Sequence, residues 1–186
     1  RFIEHRLNKF GNKYRTGFEG SQKRIDDVRT LIAEDSGATA YKGQVSEKHH
    51  VVSYTLPSTY MHLISVRCLV SYDKCKPIIT AFVLDDPIVL TTDYKNTVSV
   101  AKYSQLDDIY TLLDDPFNST SYKKPIYTMI DDKIDIYTDD KFVVSTVKTT
   151  YIQTPNTVDS VSATTVDCDL PDHTHQEIVD MTVNSL

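Results

Sequence analysis

Six doublets of neighbouring aspartates are the first feature of this sequence that could carry out chemistry. They occupy positions 26–27, 85–86, 107–108, 114–115, 131–132 and 139–140. Paired carboxylates can hold Mg²⁺ or Ca²⁺, as they do in metal-dependent nucleases. Most of these doublets lie next to proline, in a hairpin turn or at a helix end, where aspartate serves turns and caps. We therefore predict no metal site, and a metal-dependent nuclease is the least favoured alternative.

Cys168, His173 and His175 form a second candidate cluster, because cysteine and histidine are the usual zinc ligands. The two histidines are two residues apart at the start of a predicted helix, so they point roughly 200° apart around its axis. The sequence has no second Cys or His pair at a usable spacing. We expect these histidines to contact backbone carbonyls or a neighbouring subunit.

The neighbouring histidines His49 and His50, with His62, could supply a general base for a serine or cysteine nucleophile. The sequence has no Gly-x-Ser-x-Gly elbow, and Gly17-x-x-Gly20 lacks the Lys-Ser/Thr that follows in a phosphate-binding loop. Adjacent histidines at the start of a strand are expected to be solvated. The sequence therefore predicts no enzyme, no catalytic residue and no cofactor.

The three cysteines, Cys68, Cys75 and Cys168, are few and odd in number for a chain of 186 residues. This size and count argue against a disulfide scaffold. Cys68 lies in an apolar, strand-like run. We expect reduced thiols that pack as small apolar groups.

Charge is distributed unevenly along a chain of ordinary composition, with 40% hydrophobic residues and a net charge of −6. Residues 1–24 carry seven Lys/Arg and two Glu, a net charge of +5, whereas the remaining residues carry −11. Such a basic arm could contact nucleic acid or the acidic body of another copy. No apolar run approaches the roughly 18 residues of a membrane span, so no membrane contact is expected.

The first 37 residues are predicted to form a helical arm or hairpin. One apolar stripe at helical spacing comprises Ile3, Leu7, Phe10, Tyr14 and Phe18. Ser21 is a suitable N-cap for a second helix over residues 22–34. Its buried face would hold Ile25, Val28 and Ile32, its solvated side would hold Arg24, Asp27 and Arg29, and Ser36-Gly37 would end it.

Residues 48–168 are predicted to form a β-rich region that contains one short helix. Strand-like runs separated by turn residues lie at 50–56, 61–72, 77–84, 87–92, 125–130, 133–137 and 141–152, the last being the longest candidate. Asp131-Asp132 would form a tight hairpin turn. Ser104 would cap a helix over residues 104–113, with Leu106, Ile109 and Leu113 on one face and Asp114-Asp115-Pro116 at its end.

Residues 169–186 are predicted to form a C-terminal helix that packs on the N-terminal helices. It would begin after Leu170-Pro171, with a capping box at Thr174-x-x-Glu177 and Asp172 as the rival N-cap. The order helices, strands, helix indicates an α+β domain, with the helices packed against an antiparallel, sandwich-like sheet region.

The C-terminal third resembles structural proteins of tailed phages that infect Bacteroides, especially the crAss-like phages. The residues concerned are the strand motif Ile134-Asp-Ile-Tyr137, Tyr151-Ile-Gln-Thr-Pro155, and the helix start Leu170-Pro-Asp-His-Thr-His-Gln-Glu-Ile-Val-Asp180. The layout of helices around a sheet is similar to the ring, head-to-tail adaptor or gatekeeper proteins of short-tailed phages. The similarity covers residues 125–186 and extends to residues 1–124 in layout alone.

The resemblance implies a non-enzymatic virion protein that is made in the bacterial cytoplasm and forms a homo-oligomeric ring at the portal–tail vertex. Its partners would be copies of itself, the portal protein and other collar or tail rings, and genomic DNA would pass through without specific binding. We expect subunit contacts from Arg6, Lys9, Lys13, Leu170, Pro171, Ile178 and Val179. The alternative is a β-rich binding module of the tail or host surface, with an exposed aromatic patch along Tyr122–Tyr137.

Overall fold

The structure is a computed structural model that describes residues 26–73, 94–158 and 167–183, together with the backbone of residues 79–83 and 86–89. A short 3₁₀ turn, Arg29–Leu31, is followed by eleven described strands and two described α-helices. The strands are β1 Ile32–Ala38, β2 Ala40–Gln44, β3 His49–Thr55, β4 Tyr60–Tyr72, β5 Ile79–Val83, β6 Asp86–Val89, β7 Lys95–Val100, β8 Lys102–Tyr103, β9 Ile126–Ile130, β10 Lys133–Asp139 and β11 Phe142–Gln153. The helices are α1 Ile109–Asp114 and α2 Asp172–Val183. The predicted α+β class is confirmed, with β-structure dominant.

The strands form two main sheets and a separate pair. The four-stranded sheet has the order β1-β11-β4-β7, and the five-stranded sheet has the order β2-β3-β10-β9-β8. Strands β5 and β6 pair with each other in antiparallel fashion. The parallel pairing of β8 with β9 makes the five-stranded sheet mixed. The chain divides into two compact units, Arg1–Ala33 with Ile152–Leu186, and Glu34–Tyr151.

A sandwich core lies between the two sheets of the Glu34–Tyr151 unit. It is built from inward-facing side chains of β3 and β10 on one side and of β4 and β11 on the other. Among these, Ile134, Ile136, Cys68 and Val147 have no exposed surface. A second cluster lies on the opposite face of the five-stranded sheet. It joins Val51, Ile126 and Tyr137 to three residues of α1, namely Ile109, Leu112 and Leu113. The five-stranded sheet is therefore covered on both faces.

The predicted hairpin at Asp131-Asp132 is confirmed. Lys133 pairs with Ile130, so the two aspartates form the whole turn between β9 and β10. Asp131 has φ 56°, in the left-handed region that aspartate tolerates better than most side chains. This short turn sets the register of β10 against β9.

The predicted helix over residues 22–34 is wrong at its C-terminal end, because β1 begins at Ile32. Ser36 and Gly37, predicted as a helix stop, lie inside this strand. Pairing with β11 overrides the helical spacing, and Lys148 of β11 forms an ion pair with Glu34 at 2.7 Å. Gly37 is needed there, since a Cβ would lie 2.8 Å from the ring of Tyr54.

The burial predicted for residues near the N-terminus is only partly confirmed. Val28 is buried as predicted, but Ile32 is exposed and Asp27, predicted to face solvent, is fully buried. The apolar stripe of the arm, Ile25 and Arg24 lie outside the described residues.

The two helices predicted after residue 37 both exist, and α2 begins directly after Pro171 as predicted, whereas α1 starts later than predicted. α1 begins at Ile109, and the hydroxyl of Ser104 bonds the carbonyl of Gln105 instead of capping the helix. Leu106 is exposed, whereas Ile109 and Leu113 are buried. In α2 the hydroxyl of Thr174 donates to the carbonyl of Pro171 inside the first turn, so the predicted capping box is wrong.

Within the described residues, neither helix is long and apolar enough to cross a membrane. Every strand predicted by the sequence corresponds to a described strand, although β4 is one residue longer than β11. Strands β1, β2, β7 and β8 were not predicted.

We expect Ile136→Ala to lower the free energy of unfolding by about 2–4 kcal/mol, because it opens a cavity in the sandwich core. Ile64→Ala is the matched control, since Ile64 is half exposed on β4 and should lose less than about 1 kcal/mol. Urea unfolding followed by circular dichroism measures both. Equal losses for the two variants would contradict this assignment of the core.

Candidate functional site

Strand β7 lies at the end of the four-stranded sheet and exposes apolar side chains there. Val98 and Val100 keep 66% and 64% of their surface exposed. Val98 pairs with Leu69 of β4, which is also exposed, and Val100 pairs with Arg67. Edge strands with exposed apolar side chains are typical places for another chain to dock.

An open cleft of about 790 Å³ runs along β7. Its walls include Val98, Val100 and the stacked rings of Tyr72 and Tyr122, whose centroids are 4.1 Å apart. The hydroxyl of Ser99 donates to the carbonyl of Tyr122 at 2.6 Å, and this bond holds the loop that contains Tyr122 against β7. Three exposed lysines also line this cleft: Lys102, Lys123 and Lys124. We call this site the lysine cleft.

Residues 104–119 form a surface of opposite charge, which we call the acidic segment. It includes α1 and contains four aspartates but no lysine or arginine. Three apolar side chains are exposed on it, namely Leu106, Tyr110 and Phe117, and Phe117 is 93% exposed. The carboxylate of Asp115 accepts hydrogen bonds from the Asn118 side chain and the Phe117 backbone N–H. These bonds lower the pKa of Asp115 and fix the turn that presents Phe117.

The lysine cleft and part of the acidic segment adjoin different parts of the five-stranded sheet. Lys102 belongs to β8 at one edge, whereas Leu106 and Tyr110 line a second cavity over one face of the sheet, which extends to Lys42 of β2 at the other edge. Four strand spacings of about 4.8 Å separate these edges by roughly 19 Å. One copy can therefore present basic and acidic surfaces to two different neighbours.

Several aspartate doublets serve turns, as predicted. The doublet at 131–132 forms a hairpin turn, Asp115 holds the turn after α1, and Asp139 accepts a hydrogen bond from the Lys141 backbone N–H at 2.8 Å. Burial raises the pKa of Asp139. Among the residues that the structure describes, no three His, Cys, Asp or Glu side chains are grouped so that they could hold a metal ion.

The prediction that His49 and His50 are both solvated is wrong for His50. His50 is buried, with its Nε2 3.2 Å from Asp140 Oδ1. His49 lies between two serine hydroxyls, with Nδ1 2.9 Å from Ser46 and Nε2 3.3 Å from Ser119. A catalytic Ser-His-Asp triad places a carboxylate at Nδ1, and a hydroxyl occupies that position in His49.

His173 and His175 contact different partners. His173 Nε2 lies 2.8 Å from the carboxylate of buried Asp27, and His175 Nε2 lies 3.0 Å from the carbonyl of Leu170. The prediction of a carbonyl contact is thus confirmed for His175, while His173 binds a carboxylate instead. Cys168 is half-buried nearby in the sequence and is a free thiol.

The residues predicted for subunit contacts are only partly described. Arg6, Lys9 and Lys13 lie outside the described residues. Leu170 is buried, Pro171 and Ile178 are half-buried, and Val179 is exposed. Their role in assembly stays a prediction.

Sequence reasoning missed both the lysine cleft and the acidic segment. The alternation of Val98 and Val100 with polar residues was a usable signal for β7. The aromatic patch expected along Tyr122–Tyr137 is not exposed as such, because Tyr127 and Tyr137 are buried. No protein-family model matches the chain, and no curated protein matches it.

We expect stability to fall as the pH rises above about 9, because two buried acids have raised pKa values. Burial raises the pKa of the Cys68 thiol to about 12, and burial with a hydrogen bond to Asp35 raises that of Tyr54 to about 12. The unfolded thiol and phenol ionise near 9 and 10, so the unfolded chain loses these protons first. Each group then lowers the free energy of unfolding by at most about 1.4 kcal/mol per pH unit.

Urea midpoints at pH 7, 9, 10 and 11 test this dependence. Cys68→Ala removes the thiol and should move the onset of the loss to about pH 10, where Tyr54 takes over. A wild-type midpoint unchanged from pH 7 to 11 would contradict the assignment.

Proposed function

We propose that the chain is a non-enzymatic structural subunit that assembles with copies of itself, head to tail, into a closed ring. The observation that carries this proposal is the presence, on one compact unit, of a lysine cleft and an acidic segment with exposed apolar anchors. A contact between two different surfaces of the same chain is heterologous, and such contacts generate rings when the rotation closes.

The chemistry of the two surfaces is complementary. The exposed ring of Phe117 is an anchor that the apolar wall at Val98 and Val100 could bury. Lys123 and Lys124 would face the aspartates of the neighbour, so that opposite charges steer the approach and like surfaces repel. The charged residues at the rim orient the two subunits and raise their association rate, whereas the apolar anchors supply most of the affinity.

The proposed place of this ring is the portal–tail vertex of a phage virion. Support comes from the resemblance of residues 125–186 to crAss-like phage structural proteins. The partners would be copies of the chain, the portal protein and other collar or tail rings, with no membrane involved. The body carries −11 outside the first 24 residues, so its surface would repel DNA phosphates and let the genome slide past. Electron microscopy of intact particles would test this placement.

The basic arm has a role in the same proposal. Its apolar stripe favours burial against protein, and its net charge of +5 favours the acidic body of another copy. Arg6, Lys9 and Lys13 would then supply salt-sensitive contacts between subunits.

A charge-swap pair tests the proposed contact between the lysine cleft and the acidic segment. Lys123→Glu with Lys124→Glu changes the charge of the cleft lysine positions from +3 to −1. Asp107→Lys with Asp108→Lys places two positive charges at the start of the acidic segment and raises its net charge from −4 to 0. Each double variant alone should assemble about 10- to 100-fold more weakly, because like charges then face each other. An equimolar mixture should assemble again, since each cleft then finds opposite charges at positions 107 and 108 of its neighbour.

Sedimentation velocity measures assembly, and circular dichroism shows that each variant is folded. Phe117→Ala should weaken assembly at every salt concentration, whereas Ile64→Ala is the matched exposed control and should have no effect. A mixture that stays as weak as its components would overturn the proposed contact. A wild-type chain that stays monomeric even with portal and tail proteins would overturn the ring.

Neutralising the arm provides a separate test. We expect Arg6→Gln, Lys9→Gln and Lys13→Gln together to weaken assembly in 50 mM salt and to have little effect in 500 mM salt, because mobile ions screen surface charges. Sedimentation and a DNA filter-binding assay are run in parallel on the same samples. A triple variant that loses DNA binding and assembles normally would reverse the role given to the arm.

A further inference from the structure

A cavity of about 270 Å³ lies between the five-stranded sheet and the start of the α1 region, inside the Glu34–Tyr151 unit. Strand β2 forms one wall, while β10 forms the floor. Apolar and aromatic side chains make up most of the lining, namely Val45, Val51, Leu106, Tyr110, Ile130 and Tyr137. This volume is that of one long side chain or a comparably small ligand, below the usual range for drug-sized molecules.

Asp135 on the floor of this cavity is a buried carboxylate with one oxygen unused. Its side chain is 4% exposed. Oδ2 accepts a hydrogen bond from the ammonium of Lys42, but Oδ1 has no hydrogen-bond partner among the described residues. Leaving a buried carboxylate oxygen without a donor is costly, so a bound group that donates to Oδ1 would be strongly favoured.

The register of β10 explains why this carboxylate faces the cavity. Ile134 and Ile136 point into the sandwich core, so Asp135 and Tyr137 must point to the opposite face. The hydroxyl of Tyr137 lies 3.3 Å from the Thr128 hydroxyl. The aromatic ring therefore lines the cavity while its hydroxyl already has a partner.

We propose that this cavity binds a guanidinium group carried on an aliphatic stem. A planar guanidinium donates N–H groups to a carboxylate oxygen and stacks on aromatic rings, and its stem suits an apolar wall. Asp135 Oδ1 would accept its N–H, Tyr110 at the mouth would cover its face, and Lys42 would keep its bond to Oδ2.

The charge around the mouth favours a cationic ligand. Tyr110 is 63% exposed and lies in the acidic segment. Leu106 lines the cavity, and the next two residues in the sequence, Asp107 and Asp108, are exposed carboxylates. Lys42 neutralises only Asp135. The negative potential of the segment thus remains to attract a second cation.

Butylguanidinium is the probe, and butylurea is its neutral isostere with the same stem. Titration of the full chain, followed by NMR and calorimetry, should give a Kd on the order of 1 mM for butylguanidinium and binding at least about tenfold weaker for butylurea. Equal affinities for the two probes would overturn the proposal, because a neutral donor or a bound water would then satisfy Oδ1 equally well.

Three variants locate the binding. Asp135→Asn should weaken butylguanidinium binding about tenfold or more, because it removes the acceptor charge at Oδ1. Tyr110→Ala should weaken it several-fold and leave the fold intact, because this side chain is exposed. Asp131→Asn is the matched control: it removes a carboxylate from the turn of the same hairpin and should leave the affinity unchanged. Unchanged binding in Tyr110→Ala and in a folded Asp135→Asn would overturn the site.

The guanidinium would come from an arginine in the basic arm of another copy or from a free small molecule, and a peptide of residues 1–24 distinguishes the two sources. A peptide whose binding is lost in Asp135→Asn assigns the cavity to the arm. A peptide that binds both proteins equally, while butylguanidinium discriminates between them, assigns it to a free ligand. The cavity does not depend on ring assembly, so a monomeric chain would leave this test intact.

Discussion

The two-residue alternation of β10 is the constraint on which the rest of the Glu34–Tyr151 unit depends. This strand lies in the middle of the five-stranded sheet and is covered on both faces. Ile134 and Ile136 point into the sandwich core, while Asp135 and Tyr137 point toward the α1 region. A slip of one residue would move the aspartate into the core and both isoleucines out of it.

Two neighbours hold that register in place. β3 pairs with β10 along seven residues, and β9 pairs with it through a turn of two residues. The turn needs a positive φ at Asp131, so the same aspartate doublet that could be taken for a metal ligand serves the backbone. With β10 fixed, the positions of the second cavity and of α1 follow.

The sheet edges determine where other molecules could dock. Strand β8 has only two residues and ends its sheet beside exposed lysines, whereas β7 leaves two valines exposed. A short edge strand with charged side chains disfavours non-specific pairing with strands of other chains, and an apolar edge strand favours a partner of matching shape. The same compact unit thus carries a protected edge and an available one.

Patterns within short segments predicted most of the local structure. Strands β3, β4, β9, β10 and β11, the hairpin turn and the start of α2 all show alternation, turn residues or helix signals that act over a few residues. Strand β1 was missed because its segment carries helical spacing at Val28 and Ile32. Its pairing with β11 joins residues more than one hundred positions apart, and no local pattern records such a contact.

The sequence by itself determined the fold class, the central hairpin and the charge difference between arm and body, because these depend on composition and short-range order. Only the tertiary structure decided which polar groups are buried. Asp27 meets His173 across 146 positions, Asp135 meets Lys42 across 93, and Lys102 comes to line the same cleft as Lys124. The environment of a charge is set by distant segments that pack around it, so its role cannot be assigned from its neighbours in the chain.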